Sequence, residues 1–163
     1  MFSIVLGCEK GERMVYREAV RAILIEDDRI LLVYSNLGDY KFPGGGIEEG
    51  ETHAEAIVRE IAEETGYVNG LIGEKAGTIV ERNEDLYEEG AIFEMTSHYY
   101  FCEVPGELAP QRLDDYESEQ EFTPVWVTLE EAIMQNEEAF EINSANGWIH
   151  RENTVLKELR KNQ

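Results

Sequence analysis

The sequence predicts a single α/β domain over residues 1–163, with a mixed, mostly antiparallel sheet between helices. Three observations predict it. Strand-like and helix-like segments alternate irregularly, without an internal repeat, a low-complexity tract or a linker. Hydrophobic residues make up 42% of the chain, enough for one packed core in a length too short for two ordinary domains. One helix with clear signals at both ends follows directly on a glycine-rich loop.

Phe2-Ser3-Ile4-Val5-Leu6-Gly7-Cys8 reads as a first strand. A lipoprotein signal ending in cysteine is the competing reading, but the basic n-region is missing and the apolar stretch is too short. Glu9 to Glu12 is a turn. Met14 to Glu26 is extended, Asp27-Asp28 turns the chain, and Arg29 to Tyr34 returns as the second arm of a hairpin. Ser35 to Asp39 is loop. In Lys41-Phe42-Pro43-Gly44-Gly45-Gly46, three glycines after a proline exclude a helix or a good central strand. Thr52 is an N-cap, Glu55 completes a capping box, and Gly66 stops the helix after Thr65. Leu71-Ile72 and Ala76 to Glu81 are strand pieces. An acidic loop, Arg82 to Gly90, separates them from a long strand, Ala91 to Val104, which ends at Pro105-Gly106. Leu113 to Glu121 is a second acidic loop and Phe122 to Val127 a short strand. Thr128 caps a helix through Asn136, and a last helix covers Ala145 to Lys161.

Asp and Glu number 35 against 14 Lys and Arg, a formal charge of −21. The composition is too apolar for a disordered acidic tail. The field is wrong for gripping nucleic acid by its phosphates, and no apolar run is long enough to cross a bilayer. Neither nucleic acid nor membrane is therefore an expected partner. An anionic small molecule remains allowed if a bound cation supplies local positive charge. Cys8 and Cys102 carry no CxxC spacing and read as reduced thiols of a cytoplasmic protein.

On the Thr52–Thr65 helix, Ala54, Ile57, Val58, Ile61 and Ala62 fall on one face, which is expected to pack on the sheet. Glu60, Glu63 and Glu64 converge on its flank, and His53 lies on the same flank. The three glutamates repel one another and sit near the helix C-terminus, where the macrodipole disfavours anions. Alone they would read as a solvated acidic face. The glycine loop leading into the same helix changes this, because backbone at Gly44, Gly45 and Gly46 can approach a ligand closely. Oxygen-only ligands indicate a hard cation, Mg²⁺ or Mn²⁺. Arg59 points away from the Glu60/Glu64 flank and can pair with Glu51, pinning loop to helix.

The run from Gly45 through Glu51, Arg59, Glu60, Glu63 and Glu64 to Gly66 and Tyr67 resembles the Nudix box, the signature of the Nudix hydrolases. Every fixed Gly, Glu and Arg is present at its spacing. Tyr67 departs from it, standing at a packing position that is usually aliphatic. The resemblance implies an α/β/α sandwich that hydrolyses a nucleoside diphosphate linked to another moiety. It assigns metal ligation to Glu60, Glu63 and Glu64 with a backbone oxygen near Gly45, and orienting roles to Glu51 and Arg59. In some members a later glutamate is the general base; here Glu119 or Glu121 could serve. Arg21, Tyr34 and Phe42 are candidates for base stacking or phosphate contact beside Gly44–Gly46, although core packing explains the two aromatics equally well. Subfamily signals are mostly absent, which favours a nucleoside triphosphate, oxidised or not. The alternatives are ADP-ribose or another nucleotide sugar, and a non-catalytic nucleotide sensor. The first strand and Tyr99-Tyr100-Phe101 could form the edge of a homodimer or belong to the core.

Overall fold

One stretch of chain serves two sheets. In the computed structural model, which describes residues 1–7, 13–85 and 87–162, β2 (Arg13–Ile23) lies in one sheet and β3 (Ile25–Glu26) in the other. The extended segment read from the sequence therefore breaks at Leu24. Asp27 and Asp28 both adopt left-handed φ, 47° and 63°, and close the hairpin from β3 to β4 (Arg29–Tyr34). Two positive φ values in a two-residue turn match the right-handed twist of the arms. Cys8 and the turn expected at residues 9–12 lie outside the described residues.

The first sheet runs β1 (Phe2–Leu6), β7 (Leu71–Glu84), β8 (Ala91–Glu103), β2, β6 (Gly44–Gly46). The β1/β7 and β2/β8 pairs are parallel; β7/β8 and β2/β6 are antiparallel. In the second sheet β4 pairs antiparallel with β3, with β5 (Tyr40–Lys41) and with β9 (Thr123–Val127). The two strand pieces expected around residues 71–81 are one strand, whose register slips between Ile72 and Lys75 and again before Gly77. Gly77 is required there, because a Cβ would stand 2.4 Å from the Phe2 ring. The triple glycine forms an edge strand, where poor strand formers are tolerated.

Side chains alternate along β2. Val20, Ala22 and Leu24 face α1 (His53–Thr65) and pack with Ala56, Ile57, Ile61, Leu31 and Cys102. Ile23 faces the other way, into a core with Phe42, Ile79, Tyr99, Ile133, Val155 and Leu156 beneath α3 (Leu129–Ile142) and α4 (Gly147–Lys161). The order is helix, sheet, helix. Each buried Ile or Leu contributes about 1.5–3 kcal/mol. α3 continues past Asn136 because no breaker occurs before Asn143, its C-cap. Tyr99 is wholly buried and is not available to a dimer edge, whereas β1 ends the first sheet. Among the described residues no helix is long and apolar enough to cross a membrane.

Candidate active site

α1 begins and ends as its residues dictate. Thr52 accepts from the Glu55 N–H, Glu55 accepts from the Thr52 N–H, and Gly66 closes the helix at φ 81°. Its buried stripe is rotated from the expected one. Ala56, Ile57, Glu60, Ile61 and Glu64 are buried, while Ala54, Val58 and Ala62 are half-buried. Two of the glutamates thus face inward, under the glycine strand, instead of flanking an apolar face.

β6 is what they face. The Gly44 N–H donates to Glu64 Oε1 at 3.1 Å. A Cβ on Gly45 would lie 2.6 Å from Glu60 Oε1, so the missing side chain makes room for that carboxylate. Ala22 N–H donates to Pro43 and Ile47 N–H to Glu18, which by antiparallel alternation makes Val20–Gly45 a hydrogen-bonded pair. The Gly45 carbonyl, expected as a ligand, is therefore engaged in the ladder, and the Gly44 peptide is the one outside it.

A third carboxylate joins from elsewhere in the chain. The acidic loop contains a short helix, α2 (Asp115–Glu119), capped by a reciprocal Asp114–Glu117 box. It brings Glu117 to the pair: one oxygen from each of Glu60, Glu64 and Glu117 lies within 4.8 Å of the others. Glu119 and Glu121, the residues expected here, are exposed and outside this group. Glu119 sits at the end of α2 and Glu121 follows in a left-handed conformation at φ 54°, so neither shares the face that carries Glu117. The sequence held the missed signal. Asp114-x-x-Glu117 is a capping-box pattern, and it predicts a helical turn in a stretch read as loop.

Burial raises the pKa of Glu60, against the pull of Arg59, and raises that of Glu117. Burial and then the neighbouring Glu60 charge push Glu64 well above the ordinary carboxylate range. Such a group is costly to ionise without a counter-charge. An all-oxygen, mutually repelling donor set, two of its carboxylates buried and the third half-buried, suits a hard divalent cation. Arg59 supplies part of the compensation. It binds Glu51 through Nε at 2.7 Å and Nη2 at 2.8 Å, reaches the Gly46 carbonyl at 3.2 Å, and also contacts Glu60 at 2.9 Å and Glu63 at 3.3 Å. It does not point away from the acidic flank; its planar fork spans loop and carboxylates together. The Arg59 guanidinium holds the Glu51 carboxyl down to about 2. Glu63 is half-buried, turns toward Arg59 and stands outside the converging trio.

The expected substrate contacts are scattered. Phe42 is a core residue, edge-on to Tyr99, and offers no face to a ligand. Tyr34 packs against Tyr40 at 4.9 Å. Arg21 is buried on the face away from α1 and donates to Ser97 at 3.2 Å. His53 does not border the carboxylates; it bonds Tyr100 at 2.7 Å and stacks near His98. Glu18, His53 and His98 form a second group within 4.8 Å. Lys75 lies 2.8 Å from His98 Nδ1 and Glu18 lies 3.1 Å from Nε2, so both ring nitrogens of that histidine already have partners. Lys41 is buried among aromatic rings. Its ammonium lies 4.6 Å from the Phe122 ring centre and 4.7 Å from that of Trp148. Trp148 also donates to the buried Asp39. Tyr67 accepts from the Trp126 indole at 3.2 Å, which gives the unusual phenol a function that an aliphatic residue could not serve.

Comparison with known proteins bears on this arrangement. The family model for the NUDIX domain matches residues 15–146. An ADP-ribose pyrophosphatase of Methanocaldococcus jannaschii is 46% identical over 54 residues, 31% of this chain and 32% of the relative. A putative 8-oxo-dGTP diphosphatase of Bacillus subtilis is 35% identical over 85 residues, 52% of this chain and 50% of the relative. The matched stretches thus span about a third to a half of the curated relatives. The MutT protein from Methanosarcina mazei Go1 shares the fold with a TM-score of 0.56 at 20% identity, over 92% of this chain and 98% of that one.

Proposed function

The chain belongs to the NUDIX domain family, and from that premise we propose that it hydrolyses the pyrophosphate linkage of a nucleoside diphosphate joined to another moiety. Nudix enzymes generally use a divalent metal. We assign its binding to Glu60, Glu64 and Glu117, with Glu63 at the margin and the Gly44 peptide in support. The observation that carries this reading is the convergence of three carboxylates beneath the glycine strand. When bound, Mg²⁺ or Mn²⁺ would neutralise the anhydride oxygens and lower the pKa of water.

The chain's own residues do the rest. The Glu117 carboxylate, through the oxygen not held by the cation, would take the proton of the attacking water. Water adds to phosphorus, the anhydride P–O bond breaks, and its electron pair leaves with the departing phosphate. Glu51 and Arg59 hold the glycine strand against α1, so the carboxylates keep their spacing while the substrate enters.

For the substrate we favour a nucleoside triphosphate, oxidised or not, split into the monophosphate and pyrophosphate. Similarity to a putative 8-oxo-dGTP diphosphatase supports this. The higher local identity to an ADP-ribose pyrophosphatase supports the second reading, a nucleotide sugar. A panel of nucleotides with Mg²⁺ separates the two: a triphosphate releases pyrophosphate together with the monophosphate, whereas a nucleotide sugar releases the monophosphate and a sugar phosphate without pyrophosphate. Turnover on at least one compound is expected, with a loss of about 10²-fold or more in Glu64→Gln. No turnover on any compound, or full turnover in Glu64→Gln, overturns the proposal and favours a nucleotide sensor.

A further inference from the structure

The five-residue helix α2 carries Glu117, yet none of its own side chains is buried. Something outside it must fix where that carboxylate stands. The clamp comes from β5 and the loop before it. The Asn36 N–H donates to the Gln120 carbonyl at 2.8 Å, and Asn36 Nδ2 donates to the Glu119 carbonyl at 2.9 Å. Lys41 adds the side-chain grip. Its ammonium donates to Gln120 Oε1 at 3.2 Å, next to the C-terminal end of α2. The same ammonium faces the Tyr116 ring of α2 at 5.7 Å, in a cage completed by Phe122 and Trp148. Tyr116 in turn packs edge-on to Phe122 at 6.4 Å. Lys41 is 9% exposed, and such a desolvated cation holds aromatic faces more firmly than an exposed one.

Lys41 also ties this clamp to the glycine strand. It belongs to β5, and Gly44, whose N–H meets Glu64, follows three residues later. The spacing between the box carboxylates and Glu117 is therefore set along one short run of backbone. We propose that Lys41 is a positioning residue that anchors α2 through Gln120 and Tyr116 and so holds Glu117 against Glu60 and Glu64. The proposal rests on the assignment of Glu117 made above.

The test compares Lys41→Met, Gln120→Ala, Glu117→Gln and the double variant Lys41→Met/Glu117→Gln. Methionine fills the cage without the charge, and Gln120→Ala loosens the clamp while leaving the cage intact. Amide exchange over residues 115–120 is expected to rise in Lys41→Met and Gln120→Ala, with the sheet unchanged. Mn²⁺ affinity, read by electron paramagnetic resonance, and kcat are expected to fall about tenfold or more, with little change in KM. Lys41→Met is expected to add nothing in the Glu117→Gln background. Unchanged exchange in α2, a loss confined to KM, or fully additive losses would overturn the anchoring. Wild-type Mn²⁺ affinity and kcat in Glu117→Gln alone would instead overturn the assignment of Glu117, and the exchange data keep the two results apart.

Discussion

Gly45→Ala gives a sharp test of the site, because it inserts one methyl group exactly where the fold has left room. The new Cβ would stand 2.6 Å from Glu60 Oε1 and 2.8 Å from Glu60 Cδ. Ordinary van der Waals contact begins at 3.4 Å, so the carboxylate must retreat by about 0.8 Å. It can do so, since it is the end of a flexible side chain. The retreat also strains its 2.9 Å contact with Arg59. Functional constellations tolerate displacements of about 0.5 Å. Turnover and cation affinity should both fall by about 10- to 100-fold, some 1.4–2.7 kcal/mol, with the melting temperature changed by only a few degrees. Steady-state kinetics, Mn²⁺ titration and thermal melts measure the three quantities. Gly44→Ala provides the contrast. Its Cβ would meet the Val20 carbonyl oxygen at 2.1 Å and Arg21 Cα at 2.8 Å, both backbone, and the fold itself should lose about 1–3 kcal/mol or more. Wild-type turnover and cation affinity in Gly45→Ala at an unchanged melting temperature would refute the assignment of Glu60 to the site.

The metal-free protein should also show the cost of its buried acid. Burial raises the folded pKa of Glu64 above its ordinary value of 4.5, so between those two values the native state binds more protons than the unfolded chain. Its contribution is fully present below the ordinary value and is lost as pH rises through the folded one. Melts in EDTA should therefore show wild type losing stability relative to Glu64→Gln as pH rises above the ordinary carboxylate value; parallel curves would contradict this. Burial also pushes the Cys102 thiol up to about 12. In a Cys8→Ser background it should resist alkylation at about pH 8 until the protein unfolds, and rapid labelling of the native state would show that Cys102 is not enclosed.

Much of this was legible in the chain because the signals were local. Both ends of α1 follow from Thr52, Glu55 and Gly66, and the box residues share one ungapped stretch. What escaped the sequence depends on tertiary packing. Periodicity placed Glu60 and Glu64 on a flank. A stripe that includes carboxylates cannot be found by following apolar residues, and their burial depends on a strand with no side chains lying above them. Arg59 was assigned to Glu51 alone because helix geometry gives a direction but not the reach of a planar fork. Glu117 was passed over although its capping box was visible, because the acidic run around it read as solvated. Phe42 and Tyr34 were ambiguous from the start, since an aromatic beside a glycine loop serves a core as well as it serves a ligand.

The chain has 2 tryptophans, and each touches a residue tied to a different acidic element of the proposed site. Trp126 is tethered to Tyr67, one residue beyond the C-cap of α1, while Trp148 lies over Lys41, which grips α2. Intrinsic fluorescence is thus a built-in gauge with two needles. Replacing either indole with phenylalanine would leave a label-free optical readout of one acidic element at a time, with no dye or radiolabelled nucleotide needed to follow binding in real time.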